Sequence, residues 1–115
     1  MSCALTEQQV VDRIKTETRR KGWRFLKPGD RLTLCRKVMG RRGAPLVRLA
    51  EVEVVSVHRE RLCDITADGV EREGFPDRLR FTFMMFFMDH MGGDVLQEVT
   101  VIRWRYLDGE ESSDG

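Results

Sequence analysis

The stretch from Val47 to His58 constrains the fold most, because its side chains alternate between apolar and charged. The apolar positions run from Ala50 to Val54, with Glu51 and Glu53 between them. This period of two predicts a strand that buries one face. The alternation then slips by one position at Val55, which indicates a β-bulge or a strand covered on both faces. A chain with such a strand is expected to be built around a sheet.

Shorter segments with the same alternation predict further strands over residues 16–20, 31–38 and 99–106. The first of them places Thr16, Thr18 and Arg20 on one face. A turn at residues 27–30 contains Pro28 and Gly29, whose backbone preferences suit such a turn. Long-range pairing is expected, with the first and last strands meeting.

Three short helices are expected between these strands. Thr6 and Gln9 have the spacing of a capping box, which predicts a helix over residues 7–14 that begins at the Thr6 hydroxyl. Thr66 is expected to cap a second helix that ends at Gly74. Pro76 suits the first turn of a third helix.

The segment that precedes Gly92 and Gly93 is open to two interpretations. Four apolar side chains between Met84 and Met91 recur at helical spacing, whereas residues 80–83 alternate as a strand would. We favour the helix. A mixture of strands with inserted short helices predicts an α+β fold around a small β-barrel.

Length and composition limit the class of protein. At 115 residues the chain is expected to form one domain, residues 1–107, followed by a disordered acidic tail, residues 108–115. No apolar run approaches the ~20 residues of a membrane span, and no secretory signal is recognisable. The odd count of scattered cysteines fits a reducing compartment. We therefore expect a cytoplasmic protein that does not bind membranes.

The charges are unevenly distributed. Residues 1–60 carry twice as many Lys and Arg as Asp and Glu, and residues 61–115 show the reverse ratio. The cations concentrate between Arg13 and Arg48, where the only carboxylates are Glu17 and Asp30. Such a block indicates either an anionic partner or a solvated basic face. His58 and His90 are isolated and form no metal pattern with the cysteines, so neither a metal nor a cofactor is expected.

Several motifs, taken in order, resemble the ASCH domain, a family of small PUA-like β-barrels, and chiefly its short phage and bacterial members. The matching pieces are Lys15-Thr16-x-Thr18-Arg19-Arg20, Gly22-Trp23, Leu26-Lys27-Pro28-Gly29-Asp30, Val54-Val55-Ser56-Val57, Leu62-x-x-Ile65-Thr66, Glu71-x-Glu73-Gly74-Phe75-Pro76 and Thr100-x-Ile102-x-Trp104-x-Tyr106-Leu107. The resemblance covers most of the chain and implies an ASCH-type, RNA-related protein.

Two functions follow from this resemblance. Some ASCH proteins are described as binding modules and others as ribonucleases. One bacterial branch removes the acetyl group from N4-acetylcytidine with a lysine, a threonine three positions later and a glutamate that ends an inserted helix. By resemblance, Lys15, Thr18 and Glu73 are the candidate base, nucleophile and acid or positioning residue. In a straight strand Lys15 and Thr18 point to opposite faces, so they converge only if the chain bends at Lys15 or Thr16.

Recognition of a base or of single-stranded RNA needs no activated nucleophile, and we favour it over catalysis. It requires phosphate contacts, a stacking surface and hydrogen bonds to the base edge. Besides the three residues above, the candidate RNA-binding residues are Thr16, Arg19, Arg20, Lys21, Trp23, Arg24, Arg41 and Arg42. Trp23 has an alternative role in the core. A third possibility is a partner-binding module that uses the apolar helix around Phe86. The expected partner is RNA or a modified nucleoside, and the expected state is a monomer.

Overall fold

The structure, a computed structural model, describes Met1, residues 3–37 and residues 46–107. The predicted basic-loop residues Arg41 and Arg42 and the predicted acidic tail, residues 108–115, lie outside the described residues. The strands are β1 (Glu17–Arg20), β2 (Arg31–Lys37), β3 (Leu46–Arg61) and β4 (Glu98–Tyr106). The helices are α1 (Glu7–Val11), α2 (Ala67–Arg72) and α3 (Arg80–Met91), with short 3-10 helices at Ala4–Thr6 and Leu62–Asp64.

The four strands form one curled antiparallel sheet in the order β1-β4-β3-β2. The first and last strands pair as expected, with Glu17 opposite Arg103. The slip predicted at Val55 is a bulge, because the register between β3 and β4 shifts between Val54 and Ser56. The bulge increases the local twist and curvature of the long strand β3. The curled sheet forms half of a barrel, which agrees with the predicted fold class.

Both faces of the sheet are covered along β4. Ile102 and Trp104 belong to one apolar cluster, which includes Val10 of α1. Val99 and Val101 point to the other face and join a second cluster with Phe83 and Phe87 of α3, among others. Because alternate side chains of a strand point to opposite faces, β4 is buried on both sides. The sheet therefore lies between the N-terminal helix and the pair α2 and α3.

The helix ends differ from the expectations in three places. The first helix ends at Val11 rather than at residue 14, because Arg13 adopts a left-handed backbone with φ of 62°. The Thr6 side chain makes no capping hydrogen bond. Pro76 does not begin the third helix, which starts at Arg80.

The other helix predictions are confirmed. The Thr66 hydroxyl accepts a hydrogen bond from the Gly69 amide, and α2 ends beside Gly74 with φ of 108°. The segment before Gly92 is helical, as favoured, and Gly92 ends it with φ of 77°. None of the helices in the described ranges has the length and apolar content that crossing a membrane requires.

Candidate functional site

A cavity of about 300 Å³ opens between the N-terminal segment, β1, the end of α2 and α3. Its two sides differ in chemistry. The polar wall consists of Lys15, Thr18, Arg19, Arg20 and Glu73. The aromatic wall consists of Phe75, Phe83, Phe86, Phe87, His90 and Met91.

Lys15 and Glu73 form the centre of the polar wall. Lys15 Nζ lies 2.7 Å from Glu73 Oε1 and also donates to the Glu73 main-chain oxygen at 3.0 Å. Both side chains are buried, so water screens their attraction only weakly. An ammonium has three N–H donors, and Glu73 accepts from two of them. Among the described residues no other acceptor bonds to Nζ, so one donor is left for a ligand in the cavity.

The backbone around Lys15 is fixed by the last strand and by α2. The Lys15 carbonyl accepts hydrogen bonds from the Trp104 indole at 3.1 Å and from the Tyr106 hydroxyl. The Thr16 amide donates to the Arg72 carbonyl at 2.7 Å. Lys15 therefore extends into the cavity from a backbone that β4 and α2 hold in position.

Gly74 allows the end of α2 to approach the N-terminal segment closely. A Cβ at this position would lie 2.8 Å from Cβ and Cγ of Gln9, closer than carbon atoms normally approach. The same Cβ would lie 3.4 Å from Cβ of Lys15. A glycine here, next to Glu73, therefore permits the close approach that sets the carboxylate beside the ammonium.

The backbone bends before β1, and this brings Lys15 and Thr18 to the same cavity. The left-handed Arg13 precedes the bend, and the strand begins only at Glu17. The Thr18 hydroxyl accepts a hydrogen bond from Arg20 Nε at 3.2 Å. Among the described residues, the Lys15 ammonium bonds to Glu73 and not to the Thr18 hydroxyl.

Arg19 connects three carboxylates behind the polar wall. Its guanidinium lies 2.7 Å from Glu17 Oε2, 3.3 Å from Glu73 Oε2 and 2.7 Å from Glu60 Oε1. Burial by itself lowers the pKa of Arg19, but the charges of Glu73 and Glu17 and a hydrogen bond to Glu60 outweigh it and raise that pKa. These contacts orient Glu73, and the predicted phosphate contact of Arg19 stays a prediction.

Glu17 is the member of this network that sequence reasoning missed. It is fully buried, and its Oε1 accepts from Arg72 Nε at 3.1 Å and from Arg103 Nε at 2.7 Å. Burial alone raises the pKa of Glu17, but hydrogen bonds from Arg103, Arg19 and Arg72 and the charge of Arg19 hold it below its usual range. The sequence contained one signal for this role, because Glu17 is a single carboxylate among closely spaced cations.

The aromatic wall was also not predicted as part of the site. The rings of Phe86 and His90 lie 4.7 Å apart at an interplanar angle of 60°, and Phe75 lies 5.4 Å from Phe86. The helical spacing of the sequence places Phe86 and His90 on one face of α3. It does not reveal that this face lies opposite Lys15.

The other candidate residues lie beside the cavity rather than on its walls. Thr16 makes backbone hydrogen bonds to Arg72 and Trp104. Lys21 is exposed at the rim, where its Nζ would lie 3.7 Å from a Cβ at Gly92.

Trp23 and Arg24 lie in the loop after β1. Trp23 is half-buried against the first apolar cluster, as its alternative role in the core required, and it stacks on Phe25. Its φ of 56° costs a tryptophan about 1 to 3 kcal/mol. Arg24 is exposed and lines a separate groove. In the described ranges, no three His, Cys, Asp or Glu side chains come together as metal ligands would.

No family model matches this sequence, and no curated protein matches it. A DUF984 protein from Enterococcus faecalis V583 has a similar structure, with a TM-score of 0.61 at 12% identity over 92% of this chain and 71% of that chain. The ASCH domain from Lactobacillus crispatus JV V101 is similar with a TM-score of 0.54 at 11% identity, over 90% of this chain and 70% of that chain. At such low identity the likeness concerns the fold alone. The resemblance seen in the sequence is thus confirmed at that level: this chain has the α+β, half-barrel fold of an ASCH domain.

Proposed function

We propose that the cavity binds a single nucleobase, presented by a nucleotide or by single-stranded RNA. The observation that carries this proposal is that Phe86 and His90 line one cavity together with Lys15 and Glu73. A nucleobase has a flat face that stacks on aromatic rings and an edge that forms hydrogen bonds. The two walls offer both kinds of contact, and neither requires an activated nucleophile.

The polar wall favours a base edge that carries both acceptors and an amino group. Lys15 and Arg20 are donors, the Thr18 hydroxyl can donate or accept, and Glu73 accepts. Cytosine presents a ring nitrogen and a carbonyl as acceptors beside an exocyclic amino group that donates. We therefore expect cytidine nucleotides to bind more tightly than uridine nucleotides.

The charge of the polar wall supports an anionic ligand. Three cations, Lys15, Arg19 and Arg20, line the cavity with one carboxylate, Glu73, and Arg19 is also paired with Glu17 and Glu60. Lys21 adds a further cation at the rim. Such an excess attracts phosphates and makes binding weaken as the salt concentration rises.

The test is a calorimetric titration of the protein with cytidine monophosphate. Replacement of Phe86 by alanine should weaken binding by about 5- to 100-fold, because stacking on one aromatic ring contributes about 1 to 3 kcal/mol. Phe81→Ala is the matched control, since Phe81 lies on the same helix, is 69% exposed and does not line the cavity. Absence of nucleotide binding, or equal affinities for Phe86→Ala and the wild type, would contradict the proposal.

A second candidate is hydrolysis of the acetyl amide of N4-acetylcytidine. It is supported by the meeting of Lys15, Thr18 and Glu73 in one cavity. In this scheme Lys15 acts as a neutral amine: it takes the proton of the Thr18 hydroxyl as the Thr18 oxygen attacks the acetyl carbon, and it then gives that proton to the amide nitrogen as the C–N bond breaks and cytidine leaves. Water then releases acetate from Thr18. Against this candidate, the Lys15 ammonium bonds to Glu73, and the Thr18 hydroxyl accepts from Arg20 instead of donating to a base.

Incubation with N4-acetylcytidine separates the two candidates. Release of cytidine that Thr18→Ala abolishes and Thr33→Ala preserves would establish the enzyme, because Thr33 is exposed on β2 and does not line the cavity. Binding without release would support recognition alone. Incubation with a labelled RNA in the same assay tests for ribonuclease activity.

A further inference from the structure

The loop that follows β1 displays a pair of stacked aromatic rings. The centroids of Trp23 and Phe25 lie 5.6 Å apart, with 29° between the ring planes. The Phe25 side chain is 71% exposed, so one large ring is offered to solvent while its neighbour supports it. Phe25 thus presents an aromatic surface on which another flat ring can stack.

Contacts with the first apolar cluster and with β4 hold the two rings in place. Trp23 contacts the first apolar cluster and keeps a left-handed φ of 56°, which a bulky residue adopts only where its surroundings impose it. The Thr100 hydroxyl donates to the Gly22 carbonyl, which ties the loop to β4. Beyond the rings, Leu26 is buried in the same cluster. The pair of Trp23 and Phe25, called the platform below, is fixed in this way and therefore loses little conformational freedom when it binds a ligand.

Cations lie between and after the two aromatic residues in the sequence. Arg24 lies between the two aromatic residues in the sequence and lines a groove with Lys27, His58 and Arg59. Arg59 is paired with Glu98 at 2.9 Å, whereas Arg24 and Lys27 are exposed. Aromatic rings that alternate with cations are the arrangement by which proteins hold single-stranded nucleic acid.

The platform lies close to the cavity along the chain. Arg20 lines the cavity and Trp23 follows three positions later, so their Cα atoms are at most about 11 Å apart. Lys21 lies between them, beside Gly92 and next to Met91 of the aromatic wall. By the same limit Phe25, two positions after Trp23, lies within about 18 Å of Arg20, so a short single strand can extend from the cavity to its ring.

From these observations we infer that Phe25, supported by Trp23, stacks on the nucleotide adjacent to the one whose base occupies the cavity. The ligand is then a single-stranded oligonucleotide rather than a free nucleoside, and Arg24 and Lys27 contact its phosphates. This inference rests on the proposed function, because it takes the cavity as the site of the first base.

The experiment compares two ligands with the same protein variants. Affinities for cytidine monophosphate and for a single-stranded RNA of about four nucleotides are measured by calorimetry at one salt concentration. Phe25→Ala should weaken oligonucleotide binding by about 5- to 100-fold and leave mononucleotide binding unchanged. Phe25→Tyr, which keeps an aromatic face, should restore the oligonucleotide affinity. Phe81→Ala is the control, because Phe81 is equally exposed but distant in sequence from the loop.

The outcomes for the two proposals are distinct. If the oligonucleotide binds no more tightly than the mononucleotide, or if Phe25→Ala weakens neither ligand, the platform is wrong and the base cavity stands. If Phe25→Ala weakens the oligonucleotide while Phe86→Ala affects neither ligand, Phe25 contacts RNA but the base cavity is wrong, and the inferred place of Phe25 beside the first base is wrong with it. If the wild type binds neither ligand, both proposals fail.

Discussion

The ammonium of Lys15 lies 2.7 Å from Oε1 of Glu73, although 58 positions separate the two residues in the chain. Both side chains are almost completely buried. The second carboxylate oxygen, Oε2, lies 3.3 Å from Arg19. Removal of the Glu73 charge leaves the buried Lys15 ammonium without a carboxylate partner among the described residues, whereas removal of Lys15 leaves Glu73 paired with Arg19.

A double-mutant cycle tests the coupling between Lys15 and Glu73. Glu73→Gln should lower the free energy of unfolding by about 3 to 5 kcal/mol, and Lys15→Met should lower it by less, because Arg19 still compensates Glu73. The double variant should lose less than the sum, because the charges are removed together. Urea denaturation measures all four proteins. The same cycle at the exposed pair Arg48 and Glu51, 3.4 Å apart, should change stability by less than about 1 kcal/mol. Additive losses at Lys15 and Glu73 would show that the pair is not coupled.

The lowered pKa of Glu17 predicts how the stability of the folded protein depends on pH. Its pKa in the folded protein lies below the ordinary value of 4.5 because hydrogen bonds from Arg103, Arg19 and Arg72 and the charge of Arg19 outweigh the effect of burial. The unfolded chain therefore binds the proton more readily than the folded chain does. The stability that Glu17 contributes is complete above about pH 4.5 and is lost as the pH falls through the lower, folded-state pKa.

The corresponding experiment follows urea denaturation of the wild type and of Glu17→Gln from pH 7 into the acid range. The variant should be less stable at pH 7, and its stability should fall less steeply below about pH 4.5 than that of the wild type. Glu51→Gln, which replaces an exposed carboxylate, serves as the control and should follow the wild-type curve. Parallel curves for Glu17→Gln and the wild type would remove Glu17 as a source of acid sensitivity.

Gly74 can be tested against a second glycine with a similar backbone. Gly74 has φ of 108° and a Cβ there would lie 2.8 Å from Gln9, whereas Gly29 has φ of 96° and nothing within 4 Å of the same position. Alanine at Gly29 therefore reports the backbone strain alone, about 1 kcal/mol. Gly74→Ala should destabilise the protein by a further ~1 to 3 kcal/mol, because the added methyl overlaps Gln9. Equal losses in thermal or urea denaturation would mean that the close approach is not required.

Local signals in the sequence predicted the parts of the fold that local chemistry determines. The Thr66 cap and the Gly74 end of α2 depend on residues within a single helix, and the bulge at Val55 interrupts a regular alternation. The early end of α1 depends on the left-handed backbone of Arg13. No propensity favours that conformation for arginine, so the error arose where tertiary contacts override local preference.

The site was only partly predictable for a different reason. The juxtaposition of Lys15 and Glu73 came from resemblance to a family, since no local pattern connects positions so far apart. The helical period showed that Phe86 and His90 share a face of α3, but the partner of that face depends on how the helix lies against the sheet. No local pattern connects Glu17 with its partners Arg72 and Arg103, because they lie far along the chain.

Cys3 provides a chemical probe of the cavity. The thiol lines the cavity, and its Sγ lies 3.7 Å from an Arg20 guanidinium nitrogen. Burial raises the pKa of Cys3 even though the charges of Arg20 and Lys15 act in the opposite direction. Because the thiolate is the reactive form, iodoacetamide at pH 8 should modify Cys3 more slowly than the half-buried Cys63.

A ligand in the cavity should increase the difference between the modification rates of Cys3 and Cys63. Saturating cytidine monophosphate should slow the modification of Cys3 further and leave the rate at Cys63 unchanged, since Cys63 lies outside the cavity lining. Mass spectrometry of peptides that contain each cysteine gives both rates from one sample. If the nucleotide binds by calorimetry and the rate at Cys3 does not change, the ligand occupies another surface. Protection at Cys3 that Phe86→Ala removes and Phe81→Ala preserves would place the base between the polar and aromatic walls.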